Sequence, residues 1–137
     1  MPTERDGTAV MPNEAGPVLI VDDDAAVRNA LKFALEVEGL DVKLYDGAPA
    51  LLADSALPAR GCLVIDYAMP AMNGVELMDA LRHRNVGLAA ILITGRATSQ
   101  LCDRARRAGF GQVIEKPLSD AALIEGIRAA LADVPAT

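Results

Sequence analysis

The sequence predicts an α/β fold of five parallel strands alternating with five helices, (βα)5, doubly wound about one sheet in the strand order 2-1-3-4-5. Two observations carry this expectation. Short apolar runs without polar alternation recur at "VLIV" (18–21), "CLVI" (62–65), "AAILI" (89–93) and "QVI" (112–114), the pattern of parallel strands covered on both faces. Segments of helical period lie between them, which calls for a parallel sheet with helices on both sides. A chain of 137 residues makes one domain, long enough to bury roughly two thirds of its unfolded surface around a single core.

Taken in order, "VLIV" forms the first strand. The first helix follows with the stripe Val27, Ala30, Leu31, Ala34 and Leu35, spaced i, i+3, i+4, i+7, i+8, with Asp24 as its cap and Gly39 just past its end. The second strand, "DVKLY" (41–45), does alternate and suits an edge. The third strand is "CLVI", and the alternation requires a helix before it. Asn73 and Glu76 stand as N-cap and N3 pair at the start of the third helix, whose stripe is Val75, Met78 and Leu81. After the fourth strand, "AAILI", a fourth helix ends before Gly109. The fifth strand, "QVI", leads to a last helix capped by Ser119, with the stripe Leu123, Ile124, Ile127, Ala130 and Leu131. Crossovers between such parallel strands are right-handed.

The composition is that of an ordinary globular protein, 52% hydrophobic and 23% charged, with a formal net charge of -6. An acidic chain argues against direct nucleic-acid binding by this domain, since a phosphate backbone demands a basic face. No run of about 18 apolar residues is present to span a membrane, and the first residues lack the basic start and apolar stretch of a secretory signal. Cys62 and Cys102 have no metal-ligand spacing, so a reduced, cytoplasmic protein is the simplest expectation. Residues 1–16 are expected to be a mobile tail, residues 17–132 the domain, and residues 133–137, "DVPAT", a stub.

In sheets of this strand order, ligands sit beyond the carboxyl ends at the switch between strands 1 and 3. Asp22 and Asp23 lie just past strand 1 and Asp66 just past strand 3, while strands 4 and 5 end at Thr94 and Lys116. Three carboxylates in one crevice raise one another's pKa unless a cation is present. An oxygen-rich site with few protein ligands and room for water suits Mg²⁺. Carboxylates, a divalent ion, a lysine and a hydroxyl are together the parts for phosphoryl transfer, in which positioning and charge neutralisation do most of the catalysis. Asp66, alone at its strand end, is the candidate nucleophile that would form an acyl phosphate. Asp22 and Asp23, side by side, are better placed to hold the metal. Singly, each residue also fits a cap, a turn or a strand end; the topology that brings all five to one rim is what gives them weight.

The segments "VLIVDDD", "LVIDYAMPAMNG", "ILITG" and "VIEKP" resemble, in order and spacing, the receiver domain of bacterial two-component response regulators, which is flavodoxin-like in fold. Thr94 and Lys116 are 22 residues apart, and Gly74 falls eight after Asp66. The match covers about residues 17 to 132, and "LITG" with "FGQVIEKP" is similar to receivers of the nitrogen-fixation transcription-regulator type. The resemblance implies that Asp66 takes a phosphoryl group from a sensor histidine kinase, a histidine phosphotransfer protein or a small phosphodonor. It implies Mg²⁺ held by Asp22, Asp23, Asp66 and the backbone carbonyl of Ala68. It also implies that Lys116 pairs with a phosphoryl oxygen, that the Lys116–Pro117 bond is cis, that Met69-Pro70 and Gly74 shape the loop after the acceptor, and that Thr94 starts a switch. The surface of the fourth helix, fifth strand and fifth helix would then act on a downstream protein target, an output domain or a second copy of the chain.

Two departures from the family pattern bear on that switch. Val113 stands where many receivers carry an aromatic ring that turns inward, so a shift of the loop "TGRATSQ" is expected to carry the output. Ala68 and Arg96 occupy positions that tune water access to the acyl phosphate, and Ala68 has no side chain to orient an attacking water. Arg104, Arg106 and Arg107 on the fourth helix and Arg128 on the fifth are as compatible with a solvated face as with a partner contact. His83 is expected on the surface. Two other classes remain open at this point. A Mg²⁺-dependent aspartyl-phosphate phosphohydrolase would want an acid at position 68, and a pseudo-receiver would bind partners without phosphorylation. The receiver is either stand-alone or excised from a longer regulator.

Overall fold

The computed structural model describes residues 16–132; the expected tail, apart from Gly16, and the expected stub at 133–137 lie outside the described residues. The chain runs β1 (Val18–Val21), α1 (Ala25–Val37), β2 (Val42–Tyr45), α2 (Ala48–Ala53), β3 (Cys62–Asp66), α3 (Gly74–His83), β4 (Ala89–Thr94), α4 (Ser99–Ala108), β5 (Gln112–Glu115) and α5 (Asp120–Ala132). The strands form one sheet in the order β2-β1-β3-β4-β5, with every neighbouring pair parallel. Five parallel strands, five helices and this order make a CheY-like flavodoxin fold, as the alternation of elements predicts.

Side chains of the central strands divide by the two-residue period between two cores. Leu19, Val21, Leu63, Ile65, Ala90 and Leu92 face one side, where they pack with Leu51 of α2, Val75, Leu77, Met78 and Leu81 of α3, and Ala105 of α4. Val18, Ile20, Cys62, Val64, Ile91 and Ile93 face the other side, against Leu31 and Leu35 of α1 and Leu123, Ile127 and Leu131 of α5. Each fully buried leucine or isoleucine contributes about 1.5–3 kcal/mol relative to exposure. An unbroken apolar run is therefore what a strand with two dry faces requires. β5 differs from this expectation. It is the second edge strand, and its residues are half-buried or exposed.

The ladders of β3, β4 and β5 run one residue past the apolar stretches, because backbone pairing does not depend on side-chain polarity. Asp66 and Thr94 are consequently the last residues of their strands. Local chemistry fixes the helix starts. Asp24 accepts hydrogen bonds from the N–H groups of Ala26 and Val27 at 2.9 and 3.3 Å. Asn73 and Glu76 form the reciprocal capping box, at 2.8 and 2.9 Å, and Ser119 accepts from Ala122 N–H at 3.2 Å. Gly109 closes α4 with φ +115°, a left-handed geometry that a Cβ disfavours.

One loop residue is strained. Ala71 lies at φ +72°, and across it Met72 N–H donates to Pro70 C=O at 2.7 Å. This is a γ-turn of the rare hand, in the loop between β3 and α3, and the left-handed region costs an L-residue roughly 1–2 kcal/mol. Ala71→Gly should therefore raise stability by about 1 kcal/mol, a rise in Tm of about 4 °C. Thermal unfolding checks it; a lower Tm in the variant would show that the turn is not strained.

Candidate functional site

β1 and β3 are neighbours, with Val21 paired to Ile65, so the residues that follow the two strands meet at one edge of the sheet. Asp22, Asp23 and Asp66 each present a carboxylate oxygen, and these oxygens lie within 4.8 Å of one another. Asp22 and Asp66 are 6% and 5% exposed, while Asp23 stands in solvent. For the buried pair, Coulomb's law at an effective dielectric near 20 gives roughly 3 kcal/mol of repulsion at such a separation.

The backbone leaves Asp22 little freedom. Its N–H donates to Tyr45 C=O at 3.2 Å, its Oδ1 accepts from Asp24 N–H at 2.9 Å, and its C=O accepts from Arg28 Nη1 at 2.7 Å. Asp66 is held from below by packing. A Cβ added to Gly74 would lie 2.9 Å from the Asp66 carbonyl oxygen and 2.8 Å from Leu92 Cδ1. Only glycine therefore lets α3 start so close to the end of β3. Ala68 is exposed two residues further on.

Lys116 follows β5, and its Nζ lies 3.0 Å from Asp66 Oδ1. The distance is that of an ion pair, but the buried Oδ1 has no partner meeting hydrogen-bond geometry. The lysine side chain is 44% exposed, so solvent screens much of its attraction. The Lys116–Pro117 peptide bond is cis. Thr94 is buried at the end of β4, beside the register pair Asp66–Ile93. Its hydroxyl is turned to its own loop, accepting from Arg96 N–H at 3.2 Å and donating to Arg96 C=O at 3.4 Å.

The electrostatics follow from this crowding. Burial pushes the Asp66 carboxyl above the ordinary aspartate value; contact with Lys116 opposes the rise, and the Asp22 charge adds to it. Burial likewise raises Asp22, against the pull of the Asp24 N–H. Burial alone would lower Lys116, but contact with the Asp66 carboxylate and the charges of Asp22 and Asp23 together outweigh it and leave the ammonium raised. Both carboxyls are thus disfavoured as anions, and one lysine does not balance them. Cys62, at the far end of β3, is buried with its thiol pushed up to about 12, too high for a nucleophile at neutral pH.

A clustered set of hard oxygen donors, with a buried carboxylate oxygen that accepts no aligned hydrogen bond, fits a divalent cation of the Mg²⁺ type. Sequence reasoning brings Asp22, Asp23, Asp66 and Lys116 to one place, and the geometry agrees. It missed Arg28, whose only signal in the sequence is its position six residues past Asp22. Of the arginines on the later helices, Arg106 pairs with Asp103 at 3.2 Å and Arg128 with Glu38 at 2.9 Å. Arg104 and Arg107 are exposed on α4, and His83 is exposed at the end of α3. No helix among the described residues is long and apolar enough to cross a membrane.

The family model described as the response regulator receiver domain matches residues 18–128. Transcriptional regulatory protein FixJ of Azorhizobium caulinodans is 42% identical over 119 residues, covering 86% of this chain and 56% of that protein. The protein of the same name from Rhizobium meliloti is 40% identical over 113 residues, covering 82% of this chain and 55% of that one. The chain thus spans about half the length of these relatives. The crystal structure of FixJ-N superposes with a TM-score of 0.80 at 38% identity, over 88% of this chain and 97% of that one. With its acidic pocket at the strand ends and a family match over nearly all the described residues, the chain belongs to the response regulator receiver domains of two-component signalling.

Proposed function

We propose that residues 17–132 form a phosphoacceptor switch in which Asp66 receives the phosphoryl group. The observation that carries this reading is the Asp66 carboxylate itself: buried at the end of β3, beside two further aspartates and 3.0 Å from Lys116. Asp22, Asp23 and Asp66, with the backbone carbonyl of Ala68, would hold Mg²⁺, which supplies charge neutralisation for phosphoryl oxygens. Asp66 attacks phosphorus through a carboxylate oxygen. The P–N bond of a phosphohistidine on a sensor kinase or phosphotransfer protein breaks as the new P–O bond forms, and the electron pair returns to the imidazole nitrogen. Lys116 then has a phosphoryl oxygen to pair with in place of a bare carboxylate.

The acyl phosphate carries about -1.5 to -2 charges where the carboxylate carried about -1, and it brings three strong acceptor oxygens. A Thr94 hydroxyl that left Arg96 for one of those oxygens would take the β4–α4 loop with it. The population moves by the difference in affinity between the two loop positions and by no more. Val113, half-buried in β5, has no ring to rotate, which supports the loop as the carrier of the signal. The surface of α4, β5 and α5 is the proposed output, acting on a partner, a second copy or an output domain. The relatives named transcriptional regulatory proteins are about twice as long as the match, which supports an output in transcription. Site chemistry of this kind belongs in the cytoplasm, where a kinase has ATP.

Two outcomes are expected. Incubation with a small acyl phosphate and Mg²⁺ labels the wild type with one phosphoryl group by mass, and Asp66→Ala abolishes the label; a label that persists in the variant would falsify the acceptor assignment. The second concerns Ala68, which presents no group to orient water. Ala68→Asn should speed loss of the phosphoryl group by about 10-fold, less than the roughly 100-fold or more of a true general base, because an amide orients water without taking its proton. Equal rates of loss in the two proteins would remove that role.

A further inference from the structure

Asp22 uses its N–H, its C=O and one carboxylate oxygen in hydrogen bonds. The N–H bond to Tyr45 is a backbone contact that any residue at the end of β1 could make, and the carboxylate bond to the Asp24 N–H needs the Asp22 side chain itself. The C=O is met by the side chain of another residue. Arg28, half-buried in α1, places Nη1 2.7 Å from the Asp22 carbonyl oxygen, while its own N–H donates to Asp24 C=O at 3.0 Å. Backbone and side chain of one residue thus grip both ends of the segment that carries Asp22, Asp23 and Asp24.

We propose that Arg28 is a positioning residue for the cation site, holding the peptide of Asp22 so that the carboxylates of Asp22 and Asp23 converge on that of Asp66. The proposal rests on the reading of those three residues as the Mg²⁺ ligands. β1 ends at Val21 and α1 begins at Ala25, and backbone bonds hold the Asp22 N–H and the Asp24 C=O, so the Asp22 C=O between them has neither ladder nor helix to fix it. The Arg28 bond supplies what regular structure does not. It also ties the acidic loop to the body of α1, so a displacement of that helix moves the ligands.

Arg28 also carries a positive charge close to the site, and the two roles have opposite signs. If charge dominated, removing it would tighten binding of a divalent cation. If positioning dominates, removing the donor weakens binding. Calorimetric titration of Mg²⁺ into the full 137-residue chain separates them, using wild type, Arg28→Met, which keeps a long apolar stem, and Arg28→Lys, which keeps a donor and the charge. Arg28→Met should weaken Mg²⁺ binding about 10-fold, the loss typical of a partner that orients a metal ligand, and Arg28→Lys should recover most of it. Cooperative thermal unfolding without Mg²⁺ should be retained in both variants. Unchanged or tighter binding in Arg28→Met overturns the proposal while leaving the metal site standing. Absence of Mg²⁺ binding in the wild type overturns the metal site and the proposal together. Should Arg28→Met fail to fold, Arg28→Gln, which shortens the reach, takes its place: weaker binding supports the positioning role, and unchanged or tighter binding overturns it.

Discussion

Burial of two carboxylates side by side at the ends of adjacent strands, with their repulsion added to it, is the constraint on which the rest of the molecule turns. The order β2-β1-β3-β4-β5 sets β1 beside β3, so whatever follows Val21 must meet whatever ends β3. Here both are aspartates, and both are nearly inaccessible to water. Water cannot relieve the crowding at Asp22 and Asp66, and Lys116 is too exposed to do so alone. The pocket is left with a net appetite for positive charge. A cation meets that appetite, and a phosphoryl group on Asp66 would rearrange it.

The scaffold keeps this unfavourable cluster from relaxing. Two cores clamp the sheet from opposite faces, and the close approach of Gly74 to the Asp66 carbonyl leaves the end of β3 no room to withdraw. The capping box at Asn73 and Glu76 fixes the start of α3 immediately after the strained turn at Ala71. On the other strand, Asp24 caps α1 while Arg28 and the Asp24 N–H hold Asp22. The three consecutive aspartates of the β1–α1 loop therefore do different work: Asp22 is buried and tied, Asp23 is free to face solvent, and Asp24 serves the helix.

What could be read in the sequence was what depends on periodicity or on close neighbours. β1, β3 and β4 announce themselves because strands with two dry faces stay apolar up to their last residue. Asp24, Asn73 with Glu76, and Ser119 were legible because a cap bonds to the backbone two or three residues away. The meeting of Asp22, Asp23, Asp66 and Lys116 was legible because strand order alone brings strand ends together. The alternation required α2, but its bounds were not legible, since it is six residues long with no side-chain cap at its start. Nor was the strain at Ala71, since alanine carries no preference for positive φ. The bond from Arg28 to Asp22 and the pairing of Arg128 with Glu38 depend on how long side chains lie across a formed surface, which no local pattern encodes.

Proton titration of the pocket probes this crowding most directly. Without Mg²⁺, the Asp22 and Asp66 carboxyls should titrate above the ordinary aspartate value of 3.8. A raised carboxyl pKa means that the folded state holds protons the unfolded chain has released. Metal-free stability therefore falls as pH rises from the unfolded value through the folded one. Carboxyl ¹³C NMR titration, with and without saturating Mg²⁺, reads both groups individually. Midpoints above 3.8 are expected for Asp22 and Asp66 in the metal-free protein, with a fall in both when Mg²⁺ is present. Midpoints at or below the ordinary value without the ion, or midpoints indifferent to it, would contradict the claim that buried, crowded carboxylates create this site.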